Sequence, residues 1–319
     1  VEKPFKTMKP FSADEIFGVW GTVLLPILKD QSIDWEELAH ALDFMIDAGL
    51  NGIYTNGSAG EFYNQTEEEF DQLSELVAFA AEEAGVPFQL GCGHPSPLLS
   101  LERIKRARSF APCAFQVILP DWIKTNSKET LNYLEKIAIA SDPIGLVIYN
   151  PPHAKNLLLP KDYAGILKEG LPVVGCKTAG GDTNWYAKMN DLSKPFSYFI
   201  PGHFMVTGIK QGAKGSYSNV ACLHPKAVVR WYQMMREAPE QALLIEKQLL
   251  LFFEKEILPL ILEEGYSDVA VDKFLAAIGQ WSSIGTRLRW PYMGIDPQRS
   301  LNKRKQLKNY IPEFFSELN

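Results

Sequence analysis

The chain has little of what would send it to a membrane or an oxidising compartment. Cysteine is scarce: Cys92, Cys113, Cys176 and Cys222 are far apart, show no CxxC spacing and sit mostly inside apolar runs. That pattern argues against a zinc ribbon or a disulfide scaffold and for reduced, buried thiols. No stretch approaches the roughly 20 apolar residues of a membrane span. The opening Val1-Glu2-Lys3-Pro4-Phe5-Lys6 lacks a signal-peptide core, so a cytoplasmic location is the expectation. Basic charge is not in excess either: 32 Lys and Arg stand against 38 Asp and Glu, a net charge of −6. Neither nucleic acid nor an anionic membrane is an expected partner. The basic run Lys303-Arg304-Lys305 with Lys308 reads as a solvated helix face.

What is present is a long, ordinary globular composition. With 319 residues, 46% of them hydrophobic, the chain can bury a large core. Apolar, β-type runs alternate with helical spacing along residues 16–236. The predicted strands are 19–27, 52–56, 88–91, 115–119, 145–149, 173–177, 198–200 and 215–217. Helices are predicted between them at 35–48, 67–83, 98–108, 128–140, 160–167, 183–190 and 205–211, with 225–236 closing the series. Pro160 as a first-turn proline and Thr183 as a cap mark two helix starts. Eight such units in order predict an α/β fold, a closed (β/α)8 TIM barrel. Beyond it, helices at 241–256, 269–279 and 299–307 form an appendix, 237–319, of a size that packs on the barrel or on a partner subunit.

In such a barrel the chemistry sits at the carboxyl ends of the strands. The sixth strand ends in Val173-Val174-Gly175-Cys176-Lys177-Thr178. An ammonium group is costly to bury, and an amine driven toward its neutral form can attack a carbonyl. The plainer reading is a lysine that snorkels into solvent. The second strand ends in Gly57-Ser58-Ala59-Gly60-Glu61, where small residues let backbone N–H groups converge on an anion. The fifth ends in Tyr149-Asn150-Pro151-Pro152, and a tyrosine at that rim can carry a proton. Nucleophile, proton carrier and anion cradle thus fall on one rim.

These elements, with Gly212-Ala213-Lys214-Gly215-Ser216-Tyr217-Ser218 and Gly285-Thr286-Arg287-Leu288-Arg289-Trp290-Pro291, come in the order and spacing of a known family. The chain resembles the dihydrodipicolinate synthase/N-acetylneuraminate lyase family of class I pyruvate-dependent aldolases. The resemblance implies that Lys177 forms a Schiff base with pyruvate or another 2-oxo acid. It implies Tyr149 as proton donor and acceptor, and Ser58 with the Ala59 amide as the carboxylate cradle. Gly202 and Tyr217 would line the pocket, and the protein would be a homotetramer that needs no cofactor or metal.

Three positions depart from the synthases of that family. Trp122 stands where they carry a second tyrosine, Ala59 replaces a threonine, and Ala154 replaces a substrate-binding arginine, with Lys155 adjacent. Sialic acid lyases carry acids after the seventh strand, where this chain has Gly202-His203-Phe204. The expectation is a lyase, of aldolase, synthase or dehydratase type, with an aromatic acceptor pocket that includes Trp122 and His203. The alternatives are dihydrodipicolinate synthase proper, which joins pyruvate to aspartate semialdehyde, and a non-catalytic 2-oxo acid binder. His94, His153 and His203 also follow alternate strands on the same rim, so a three-imidazole metal site has to be weighed against substrate-facing histidines.

Overall fold

The computed structural model describes residues 8–315. The opening segment read above for a signal peptide lies outside them. Eight parallel strands close into a barrel in sequence order. In chain order the elements are β1 (Gly18–Thr22), α1 (Trp35–Asp47), β2 (Gly52–Thr55), α2 (Glu67–Ala84), β3 (Phe88–Gly91) and α3 (Pro97–Ala107). Next come β4 (Ala114–Ile118), α4 (Ser127–Ser141), β5 (Leu146–Asn150), α5 (Pro160–Lys168), β6 (Val173–Thr178) and α6 (Thr183–Asn190). The barrel ends with β7 (Ser197–Ile200), α7 (Met205–Lys210), β8 (Gly215–Tyr217), α8 (Asn219–Leu223) and α9 (Pro225–Glu237). Four further α-helices follow: α10 (Pro239–Phe252), α11 (Leu258–Leu262), α12 (Asp268–Gly279) and α13 (Gln298–Tyr310).

Helix starts follow local chemistry. Asp34, Thr66, Asn126 and Asp182 cap α1, α2, α4 and α6 by accepting a backbone N–H of the first turn, so the cap of α6 is Asp182 and the expected Thr183 is its first helical residue. Each helix lays an apolar stripe on the barrel; Phe70, Leu73, Val77 and Ala81 of α2 are buried. Inside the barrel, Trp20, Tyr54, Val147, Phe199 and Tyr217 form a separate packed cluster.

Two expectations need correction. The apolar run 19–27 is strand only through Thr22. Pro26 has no N–H for a ladder, and Ile27 instead makes an isolated antiparallel bridge with Ile33. Residues 23–27 remain buried, so their apolar continuity reported burial rather than pairing. The helix expected at 241–256 is broken: α10 ends at Phe252, and a π-helical turn (Phe253–Ile257) leads into α11, with Pro259 in its first turn.

The appendix is tied into the barrel at specific points. Glu246 of α10 is buried and accepts the Val206 and Thr207 N–H groups at the start of α7. Helix α12 packs on α8 and on the turn that follows β2. Their approach is so close that a Cβ on Gly279 would stand 1.7 Å from the Leu223 carbonyl oxygen. No helix of the described residues is long and apolar enough to cross a membrane.

Candidate active site

Strand register brings the first two groups together. Tyr149 of β5 and Lys177 of β6 are direct partners across the parallel pair, so their side chains share a face. Lys177 Nζ stands 4.4 Å from the centre of the Tyr149 ring. It donates to the hydroxyl of Tyr54, on β2, at 2.9 Å. The rings of Tyr54 and Tyr217 lie 4.9 and 5.9 Å from the same nitrogen. Lys177 is partly buried in an aromatic cage at the barrel mouth and does not extend into solvent.

The second strand supplies the opposite wall. A 3-10 turn (Ser58–Gly60) follows β2, and Ser58 Oγ donates to Tyr149 Oη at 3.3 Å. The backbone N–H groups of Ser58 and Ala59, first in that turn, meet no acceptor among the described residues. They are a donor pair with room for an anion. The turn is held from behind. Glu61, at φ +50°, accepts from Lys273 Nζ of α12 at 2.6 Å and from the Arg289 N–H at 3.0 Å. The side chains of both Glu61 and Lys273 are fully buried.

A two-lobed cavity opens over these groups. One lobe, about 550 Å³, runs past Ser58, Ala59, Phe62, Trp122 and Ala154; the other, about 530 Å³, runs past Tyr54, His203, Phe204, Tyr217 and Phe253. Lys177, Tyr149, Pro151, Ile261, Asp268 and Asp272 line both. Asp268 and Asp272 come from one face of α12, so the appendix roofs the cavity as well as packing on the barrel.

The remaining candidates divide. Trp122 lines the first lobe at its edge and is 82% exposed. His203 lines the second, stacked on Phe253, its ring nitrogen 2.9 Å from the Asn219 amide; burial pushes its pKa down to about 4, so its ring is neutral. Tyr217 shows the cavity its ring only, because its hydroxyl donates down the barrel to Gln89 at 2.7 Å. Gly202 is buried but lines neither lobe. Lys155 does not turn inward: its ammonium donates to the Trp122 carbonyl at 2.8 Å. The three histidines are not gathered. His153 and His203 line different lobes, and His94 accepts the Ser96 N–H through Nδ1. Among the described residues no group of three His, Cys, Asp or Glu could hold a metal.

Sequence reading passed over Tyr54 and Asp272. The one signal for Tyr54 is its place near the end of β2, within reach of the rim. Asp272 lay in a helix whose docking site no local pattern indicates.

An amine ringed by phenols, beside a hydroxyl and two free N–H groups, can capture a 2-oxo acid: amine to ketone, N–H groups to carboxylate. The model of the dihydrodipicolinate synthetase family matches residues 15–309. The chain belongs to that family. As a member of the dihydrodipicolinate synthetase family it is a class I lyase. Among sequence relatives, the 4-hydroxy-tetrahydrodipicolinate synthase of Methanothrix thermoacetophila is 25% identical over 215 residues, 66% of this chain and 72% of that one. The enzyme of the same name from Thermoanaerobacter sp. strain X514 is 29% identical over 170 residues, 52% and 56% of the two chains. Among solved folds, a prophage protein of the dihydrodipicolinic acid synthase family from E. coli K12, in complex with pyruvate, superposes with a TM-score of 0.80. Its identity is 19%, with 92% of this chain and 98% of that one covered. Ruminococcus gnavus sialic acid aldolase gives a TM-score of 0.81 at 18% identity, covering 95% and 99%.

Proposed function

We propose that the protein is a Schiff-base lyase acting on pyruvate or a pyruvate-derived 2-oxo acid, with Lys177 as the nucleophile. Its acceptor is an aldehyde without a second carboxylate. Lys177 Nζ attacks the C2 ketone, water leaves, and the iminium withdraws electrons from the adjacent C3–C4 bond or C3–H bond. Tyr149 passes the proton that bond making or breaking requires, and Ser58 holds its hydroxyl. The Ser58 and Ala59 N–H groups take the substrate carboxylate. The observation that carries this reading is the placement of Lys177 Nζ between the Tyr149 ring and the Tyr54 hydroxyl, at the junction of both cavity lobes.

The charge of the cavity supports the restriction on the acceptor. Among the described lining residues Lys177 is the one Lys or Arg, whereas Asp121, Glu254, Asp268 and Asp272 are acidic. A second carboxylate would find no guanidinium to clamp it and several anions to repel it. Aromatic walls at Phe62, Trp122, Phe204 and Phe253 favour an aldehyde with apolar surface or a stackable sugar face. The two sequence relatives, both named 4-hydroxy-tetrahydrodipicolinate synthases, favour the synthase reading instead. A non-catalytic binder would have no need of the nucleophile and proton carrier held in register. Exposed Leu98, Trp122 and Ile123 near the first lobe support assembly into the homotetramer that the resemblance implies.

Borohydride reduction in the presence of pyruvate tests the core of the reading: the adduct maps to Lys177, and Lys177→Arg is unlabelled although folded. An adduct on another lysine would refute it. Steady-state assays with saturating pyruvate then compare aspartate semialdehyde with neutral aldehydes. A kcat/KM near 10⁴ M⁻¹s⁻¹ for aspartate semialdehyde, about the lower end for efficient enzymes, would make this a true synthase.

A further inference from the structure

Asp272 has no chemical step in the reading above, where it counts only as one of the acidic wall groups, yet it lines both cavity lobes together with Lys177 and Tyr149. It projects from α12, one turn beyond Asp268, and no hydrogen-bond donor of the described residues reaches it. Helix α12 is fixed in depth by the contact of Gly279 with Leu223 and by the buried Lys273–Glu61 pair on the neighbouring residue. The carboxyl is therefore held over the barrel mouth by backbone packing and not by a loop. The charged and titratable groups acting on it or on which it acts are Lys177 of β6, Tyr54 of β2, Cys222 of α8 and Asp268 of its own helix. Glu254 and His203 line the second lobe with it.

We propose that Asp272 is a further catalytic residue of this site, the acid–base that carries protons on and off during imine formation at Lys177. This rests on Lys177 being the Schiff-base lysine. In the first step the Asp272 carboxylate, which shares the cavity with Lys177 but does not touch Nζ, takes a proton from the Lys177 ammonium through one bridging water, leaving a neutral amine and a carboxylic acid; its later transfer uses the same relay. The amine then forms a bond to C2 of the 2-oxo acid as the carbonyl π pair moves to oxygen. One N–H proton passes to that oxygen through the Tyr54 hydroxyl, which already accepts from Nζ. Asp272 finally returns its proton to the C2 hydroxyl, the C–O bond breaks, water leaves and the nitrogen lone pair closes the iminium. Two protons of the original ammonium end in the water and one stays on the iminium nitrogen, so charge and atoms balance with no outside reactant. Hydrolysis of the product imine runs the same steps backwards.

A carboxyl suited to both halves of this exchange has to change state near neutrality. Burial raises Asp272 to about 7, with Asp268 adding to the rise and the Lys177 charge working against it.

The test is rapid mixing of enzyme with pyruvate, quenching into borohydride at set times and counting adduct by intact mass. In the parent, the rate of adduct appearance is expected to change between pH 5.5 and 8.5 with a transition near 7. A flat profile overturns the proposal whatever the variants do. Asp272→Asn is expected to slow adduct formation about 100-fold, the low end for a general acid–base, and to lose that transition, with the adduct still on Lys177. Asp272→Glu should recover at least a tenth of the parent rate. An Asn variant within threefold of the parent and with the same pH profile overturns the role of Asp272 while leaving Lys177 intact. A parent adduct absent from Lys177 removes both readings together.

Discussion

Lys177, Tyr149 and Tyr54 sit in three strands, and Ser58 opens the 3-10 turn three residues past the end of β2, so each is placed by a strand or by the turn it leads into. Removing one hydroxyl should therefore leave the others in place. Tyr149→Phe is expected to lower turnover about 100-fold or more while trapped imine still accumulates. Ser58→Ala removes one hydrogen bond of roughly 1.5 kcal/mol and should cost about tenfold. Equal, small losses from both would contradict the division of roles. Asp272 gives a stability prediction of definite sign. Its folded pKa is raised, so the protein is favoured below the unfolded carboxyl value and loses that stability as pH climbs through about 7. Asp272→Asn should accordingly melt higher than the parent, by more at pH 8 than at pH 5. Thermal melts of both proteins at the two pH values check this; a gap that does not widen with pH counts against the buried carboxyl.

Helix α12 is the element on which the site depends most, and two glycines separate close approach from mere helix propensity. A methyl on Gly279 would collide with backbone at Leu223, which has no rotamer to relieve it. Gly279→Ala is expected to destabilise by about 1–3 kcal/mol, the usual range for overpacking, and to lower activity by lifting Lys273 from Glu61 and Asp272 from its place over the barrel mouth. On α5, a methyl on Gly165 would meet nothing within 4 Å. Gly165→Ala should stabilise by roughly 0.5–1 kcal/mol through helix propensity alone. Urea midpoints of the two variants give the comparison, and a neutral Gly279→Ala would show that α12 is not held by that contact. Most elements were legible because the strands are short apolar runs, buried on both faces, and the helices carry a 3.6-residue period. The exceptions have physical causes: α8 is five residues long, too short for a helical period, and residues 23–27 are apolar because they are covered, not because they pair.

At the scale of the whole molecule, barrel and appendix share charges and caps as well as apolar surface. Glu246 closes the start of α7, and Lys273 neutralises Glu61 inside the fold. Breaking one partner of such a buried pair typically costs 3–5 kcal/mol. The two parts are therefore expected to unfold together, with calorimetric and van't Hoff enthalpies in agreement. Two separated transitions would show instead that the barrel stands alone.

The alternation of short apolar runs with segments of 3.6-residue period, read locally, determined the barrel and its strand order. In a barrel the strand ends face one rim, so that order also placed Lys177, Tyr149 and the 57–61 turn together. Tertiary structure alone decided what those groups face. It turned the Lys155 ammonium to the Trp122 carbonyl and the Tyr217 hydroxyl down to Gln89, and it brought Tyr54 to Nζ. It also lowered Asp272 over the mouth from a helix far along the chain. Periodicity records which face of an element is buried; the depth of a docked helix and the direction of a polar side chain depend on close packing between distant segments, which leaves no local trace.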